Sequence, residues 1–103
     1  MGEGENLSAF DSTTGGVMTV EAGAVTGELE LATRTVSEGL RASIRYAGAE
    51  EWYTVEGCPL PLGNVSVPGP MELHRRVEEH LKTPGPTVDG NERATTLEGF
   101  SMA

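Results

Sequence analysis

A change in the spacing of apolar side chains divides the middle of this chain into a strand-forming part and a helix-forming part. Apolar and polar residues alternate from about residue 26 to residue 46, whereas apolar residues recur every four positions between residues 69 and 82. A period of two is that of a half-buried β-strand, and a period near four is that of an amphipathic helix. Residues 25–82 are therefore predicted to form one small α+β domain.

Two alternating runs with a short Gly-containing connection predict an antiparallel hairpin. The residues that share its inner face are Leu29, Leu31, Leu40, Ala42, Ile44 and Tyr46. Its outer face should pair Glu28 and Glu30 with Arg41 and Arg45, which would stabilise the two strands modestly. A third run, Glu50 to Gly57, is rich in residues that favour strands, so the prediction for residues 26–56 is a three-stranded antiparallel meander.

The segment from residue 69 to residue 82 predicts one amphipathic α-helix. Leu73, Val77 and Leu81 form a single apolar stripe, because residues four apart share a face of a helix. Pro70 suits the first helical turn, and Lys82 suits the negative end of the helix dipole. The helix is expected to follow the meander and to pack against it.

The two ends of the chain have a different composition. Residues 1–24 are rich in glycine and poor in large apolar side chains, so we predict a flexible N-terminal arm. Residues 83–103 begin with a proline-broken stretch and carry one weakly apolar patch, Leu97 and Phe100. We predict a disordered C-terminal tail there, with a short binding motif as the alternative.

Charge restricts the choice of partners. The chain has 16 acidic and 7 basic residues, for a formal net charge of −9. Direct binding of nucleic acid or of an anionic membrane is not expected, because such binding depends on Lys and Arg. The predicted core is also small for independent stability, so we expect a protein partner or a homodimer.

The single cysteine, Cys58, excludes an intramolecular disulfide and a multi-cysteine zinc site. The sequence contains neither a signal-peptide pattern nor an apolar run of 18 residues, so we expect no export signal and no membrane span. A cytoplasmic location is the prediction that fits best. Basic residues are nearly all arginine, a bias that is typical of GC-rich bacterial genomes.

Candidate catalytic chemistry is sparse. Cys58 lies in a predicted loop, and no motif connects it with the two histidines of the predicted helix. His74 and Glu78 share a helix face and could offer two metal ligands, but the sequence supplies no third ligand on that face. Phosphate-binding loops and the serine nucleophile motif are absent from the sequence. We therefore predict no enzyme activity, no cofactor and no metal site.

Two adjacent aromatic residues, Trp52 and Tyr53, are the candidate interaction site, together with the acidic pair Glu50 and Glu51 beside them. Trp and Tyr are enriched where proteins bind one another. The alternative is that Trp52 is the largest core residue of a domain with few large apolar groups, and that Tyr53 covers its edge.

These patterns together predict a small acidic cytoplasmic accessory or regulatory protein that acts by binding another protein. One alternative is an acidic nucleic-acid mimic that blocks a DNA- or RNA-binding protein, although five arginines in residues 25–82 would weaken its field. Another alternative is a precursor with a recognition leader and a processed tail at residues 83–103.

Overall fold

Strands dominate the part of the chain that a computed structural model describes, which comprises residues 5–37, 39–60, 70–98 and 100. In chain order the described elements are β1 (Asn6–Asp11), β2 (Val17–Thr19), β3 (Gly23–Val25), β4 (Glu28–Val36), β5 (Gly39–Tyr46), β6 (Tyr53–Thr54), α1 (Pro70–Leu81), β7 (Thr87–Val88) and β8 (Asn91–Glu92). Residues 1–4, 99 and 101–103 of the two predicted arms lie outside the described residues.

The predicted hairpin is confirmed as β4 and β5, which pair antiparallel from Leu29 opposite Tyr46 to Val36 opposite Gly39. The inner-face prediction holds for all its members except Tyr46, which is 42% exposed at the end of β5. Only two residues separate Val36 from Gly39, so this short connection fixes which residues of β4 and β5 lie opposite one another.

The main sheet has four strands in the order β1-β4-β5-β6, and β2-β3 and β7-β8 form two small sheets. The domain is thus α+β as predicted, but the three-stranded meander is wrong in strand number and topology. The missing strand is β1, which pairs with the free edge of β4. Its inward positions are Asn6, Ser8 and Phe10, and two polar residues there conceal the alternation of a half-buried strand.

The predicted helix is confirmed as α1, and its apolar stripe covers the inner face of β1 and β4. Leu73, Val77 and Leu81 are all buried. Glu72 lies in the first turn, where the helix dipole favours a carboxylate. Among the described residues, no helix has the length and apolar character needed to cross a membrane.

Residues of both predicted arms, 1–24 and 83–103, contribute to the core. Phe10 and Val17 of the N-terminal segment are buried, and so are Thr95 and Leu97 of the C-terminal segment. The two segments meet where the Met18 amide donates to the carbonyl of Thr95 at 2.9 Å. Isolated apolar residues between glycines and polar residues give no periodic signal, so the composition of these segments did not indicate that they reach the core.

A glycine is required where the C-terminal segment crosses the loop after β6. Gly57 has a φ of 103°, a conformation that side-chain-bearing residues rarely adopt. A Cβ atom at this position would also meet the backbone of Leu97 and Glu98. The Leu97 amide donates to the carbonyl of Glu56 at 2.8 Å, so this close approach holds Leu97 in the core.

Candidate functional site

The face of the four-stranded sheet that turns away from α1 forms a shallow groove, which we call the helix-free face. Its floor is formed by three cross-strand partners, Leu7, Ala32 and Ser43, and Thr54 of β6 continues the same row beyond the cavity lining. Because Ala32 and Ser43 are small, the middle of the row lies lower than the long side chains on either side. The cavity above it has a volume of about 550 Å³.

One wall of the groove is built from Trp52 and an ion pair. Nε and Nη2 of Arg45 each lie 2.7 Å from Oε1 of Glu30, its partner across β4 and β5. The same guanidinium lies over the Trp52 ring, with its carbon 4.6 Å from the ring centroid. A cation over an aromatic face is attracted by the ring quadrupole, so this wall is held by two interactions at once.

The opposite wall consists of Arg34 and Arg41, which are direct cross-strand partners. Both side chains are exposed, and among the described residues no carboxylate lies within 4.0 Å of either guanidinium. The expected outer-face pairing is therefore half right. Glu30 does pair with Arg45, but Arg41 faces Arg34, and Glu28 faces Asp11 of β1.

A carboxylate lies at one end of the floor row. Oε1 of Glu21 accepts a hydrogen bond from the Thr54 amide at 2.6 Å, and Oε2 accepts one from the Thr54 hydroxyl at 2.8 Å. These bonds favour the charged form and lower the pKa of Glu21. The groove thus has a fixed negative charge at the β6 end and positive charge along the Arg34 and Arg41 wall.

The structure separates the four residues of the predicted interaction site. Trp52 is half-buried and lines the groove, whereas Tyr53 points to the other side of the sheet and packs against the core. The alternative interpretation took Trp52 as the core residue and Tyr53 as the residue at its edge. The structure has the reverse arrangement, with Tyr53 against the core and Trp52 in the groove. The Tyr53 hydroxyl donates to Glu51 at 3.2 Å, and partial burial with this hydrogen bond raises the pKa of Tyr53. Glu50 and Glu51 are exposed and lie outside the groove lining.

A second polar cluster lies between α1 and the sheet, and the sequence indicated only the shared helix face of two of its members, His74 and Glu78. Nδ1 of His74 is 2.7 Å from the Thr33 hydroxyl, and its Nε2 is 2.7 Å from the Ser8 hydroxyl. The Ser8 hydroxyl donates its proton to the carboxylate of Glu78. Since Ser8 has only that proton, His74 must donate from Nε2 to Ser8, and Thr33 must donate to Nδ1. The cluster is then fully satisfied with a neutral imidazole.

This arrangement differs from that of a serine nucleophile and its base. A nucleophilic serine donates to the imidazole, and a carboxylate orients the other ring nitrogen. Here the Ser8 hydroxyl donates its hydrogen bond to Glu78 instead of to the imidazole. The other ring nitrogen, Nδ1, contacts the hydroxyl of Thr33 and not a carboxylate. Burial lowers the pKa of His74, which keeps the ring neutral, although the nearby Glu78 carboxylate acts in the opposite direction.

The two candidate metal ligands that the sequence analysis considered, His74 and Glu78, belong to this cluster, where Nε2 and Oε1 lie 3.9 Å apart. Within the described residues, no group of three or more His, Cys, Asp or Glu side chains is placed to hold a metal ion. Cys58 is partly buried, and burial raises the pKa of its thiol. A raised pKa is the reverse of what activates a cysteine nucleophile.

The chain was compared with protein-family models, with curated proteins and with solved structures, and none of them matches it.

Proposed function

We propose that this chain is a small accessory or regulatory protein that binds another protein through the helix-free face of its sheet. The observation that carries the proposal is the groove of about 550 Å³ between the Trp52 wall and the wall of Arg34 and Arg41. Trp and Arg are the residue types that contribute most binding energy at protein interfaces. An antiparallel sheet can leave one face in solvent, and α1 covers only the other face, so α1 leaves this face accessible to a partner.

The Trp52 wall is suited to binding because it is already ordered. Arg45 is held by Glu30 on one side and by the Trp52 ring on the other. A partner that contacts these side chains would lose little of its binding energy to ordering them. Arginine stacked on an aromatic ring also presents its remaining donors outwards.

The arginines of this face favour a protein-binding role over nucleic-acid mimicry. A mimic should present carboxylates where a nucleic acid presents phosphates, but this face carries Arg34, Arg41 and Arg45 beside Glu30. We propose that the acidic residues elsewhere keep the protein soluble, as a net charge far from zero does.

Site-specific photo-crosslinking in cells of the source organism would test the proposal. A photoreactive phenylalanine derivative at Leu7, which is 52% exposed in the groove, should give one discrete adduct. The same group at Met71, which is 78% exposed on α1, is the matched control and should not give that adduct. Trp52→Ala should abolish the Leu7 adduct, whereas Cys58→Ala, outside the groove lining, should preserve it.

Two results would contradict the proposal. One is an identical set of adducts from Leu7 and Met71, which would indicate nonspecific contact. The other is the absence of any Trp52-dependent adduct while the purified chain is shown to be folded by amide NMR. An adduct of twice the chain mass would identify the partner as a second copy of this protein.

A further inference from the structure

The charge of the Arg34 and Arg41 wall is unusual for this chain. Acidic residues outnumber basic ones by more than two to one, so carboxylates are abundant. Arg45, Arg75 and Arg76 each lie against a glutamate. Arg34, Arg41 and Arg93 have no carboxylate within salt-bridge distance among the described residues, and of these three only Arg34 and Arg41 face one another across two strands.

Like charges directly opposite one another destabilise a sheet, and the Glu21 carboxylate interacts with Arg41 only from beyond salt-bridge distance, so it offsets the repulsion in part. The β-carbons of direct cross-strand partners are about 5 Å apart, which allows two guanidinium groups to converge on one small anion. A carboxylate has two oxygens and can accept from both groups at once. The register of Arg34 and Arg41 therefore allows both guanidinium groups to bind one carboxylate.

The dimensions of the groove fit a short extended polypeptide. Its floor crosses three strands from Leu7 to Ser43, a span of about 10 Å at the usual strand spacing, which about three extended residues cover. Alternate side chains of such a segment would point to opposite walls. One side would reach Arg34 and Arg41, and the other would reach the Trp52 ring.

From these observations we propose that the occupant of the helix-free face is an extended acidic segment of a partner protein. An Asp or Glu side chain of the segment is held between Arg34 and Arg41, and an apolar side chain of the segment packs against Trp52. This inference depends on the proposed function and adds the chemistry of the partner to it.

A polypeptide carboxylate suits the groove better than a nucleic acid does. Nucleic acids are bound by rows of cations that displace counterions from many phosphates. Here the cavity is also lined by Glu5, and Glu21 and Glu30 stand at its margins, so a longer polyanion would meet repulsion beyond the arginine pair. At physiological ionic strength, exposed charges more than about 8 Å apart interact only weakly. The attraction of an acidic side chain to this site therefore depends on Arg34 and Arg41 more than on the net negative charge of the chain.

Selection from a library of short random peptides displayed on phage, with the full chain immobilised, would test this inference. Peptides that bind should be enriched in Asp or Glu with an apolar residue next to the acid. A selected peptide should bind the double variant Arg34→Gln, Arg41→Gln about tenfold more weakly, because charge-assisted hydrogen bonds are lost. Arg93→Gln is the matched control and should bind like the unmodified chain, since Arg93 is exposed and lies outside the groove lining.

The possible failures can be told apart. Peptides that depend on Trp52 but lack acidic residues would overturn the acidic segment and leave the proposed function standing. A selection that yields no Trp52-dependent peptide would contradict both. Tighter binding of a single-stranded DNA oligonucleotide than of the selected peptide, lost in the double variant, would show that the pair recognises phosphate and would also overturn this inference.

Discussion

The hydroxyl of Thr33 lies 2.7 Å from Nδ1 of His74, and this contact joins the central strand β4 to the helix that covers it. Both side chains are buried, at 1% and 7% exposure. The contact starts a chain of hydrogen bonds that continues through Ser8 to Glu78. A buried network with every member satisfied specifies how two elements pack, because any other arrangement would leave polar atoms unpaired.

Thr33→Val should therefore lower the free energy of unfolding by about 1–3 kcal/mol, because the valine keeps the shape but leaves Nδ1 of His74 buried without a donor. Thr35→Val is the matched control on the same strand, since Thr35 is exposed. Its effect should remain within about 0.5 kcal/mol. Urea denaturation of the two variants measures the difference, and equal effects would mean that the network does not contribute to stability.

The same network predicts a pH dependence of stability. Burial lowers the pKa of His74 in the folded state below its ordinary value of 6.5. Below pH 6.5 the unfolded chain takes up a proton that the folded chain resists, so the unfolded state is favoured as the pH falls. Stability should be highest above pH 6.5 and should decrease towards about pH 5, before most carboxylates begin to titrate.

Urea denaturation at several pH values would test this dependence. His74→Gln should flatten the slope between about pH 5 and 6.5, whatever it does to the absolute stability. His80→Gln is the control, because it removes the other histidine and leaves the network in place. If the slope remained in His74→Gln but disappeared in His80→Gln, the attribution of the pH dependence to His74 would be contradicted.

A third prediction concerns the C-terminal segment. Leu97 is fully buried, so Leu97→Ala should cost about 2–5 kcal/mol of unfolding free energy through lost burial and the cavity left behind. Val88→Ala, in the same segment but 40% exposed, should change stability by less than about 0.5 kcal/mol. Thermal or urea unfolding measures both variants. If Leu97→Ala were as mild as Val88→Ala, residues 83–98 would not belong to the cooperative unit.

The sequence predicts those parts of the fold in which apolar residues repeat. Leu73, Val77 and Leu81 on α1 and Leu40, Ala42 and Ile44 on β5 lie on the faces that their spacing indicates, and all six are buried. Strand β1 could not be found in this way, because Ser8 at an inward position is polar. Its hydrogen-bond partner, His74, lies far along the chain, so no local pattern indicates the burial of Ser8. Leu97 is the only buried apolar residue in the described part of the C-terminal segment, and one apolar residue has no period.

Less of the candidate site could be predicted, because it depends on strand register. The residue types drew attention to Trp52, but the pairing of Arg34 with Arg41 follows from the two-residue connection between Val36 and Gly39. The sequence alone favoured Arg41 opposite a glutamate, since opposite charges stabilise cross-strand pairs. A register that instead places two arginines together is the kind of local conflict that marks functional surfaces.

Arg34→Glu tests that conflict directly. The substitution replaces a repulsive cross-strand pair by an attractive one, so the free energy of unfolding should rise by roughly 0.5–1 kcal/mol. Binding of an acidic peptide should be lost in the same variant, because a carboxylate then occupies one side of the site. Stability and binding would change in opposite directions, which is expected where a functional site is retained at a cost in stability.

Arg93→Glu is the matched control, since it makes the same change in net charge at an exposed position outside the groove. It should not raise stability, because added negative charge increases the general repulsion within an acidic chain. The gain from Arg34→Glu should shrink at high salt, as charge interactions at a surface do. A loss of stability in Arg34→Glu at low salt would mean that the two arginines support the sheet, and the carboxylate-binding role of the pair would lose its main argument.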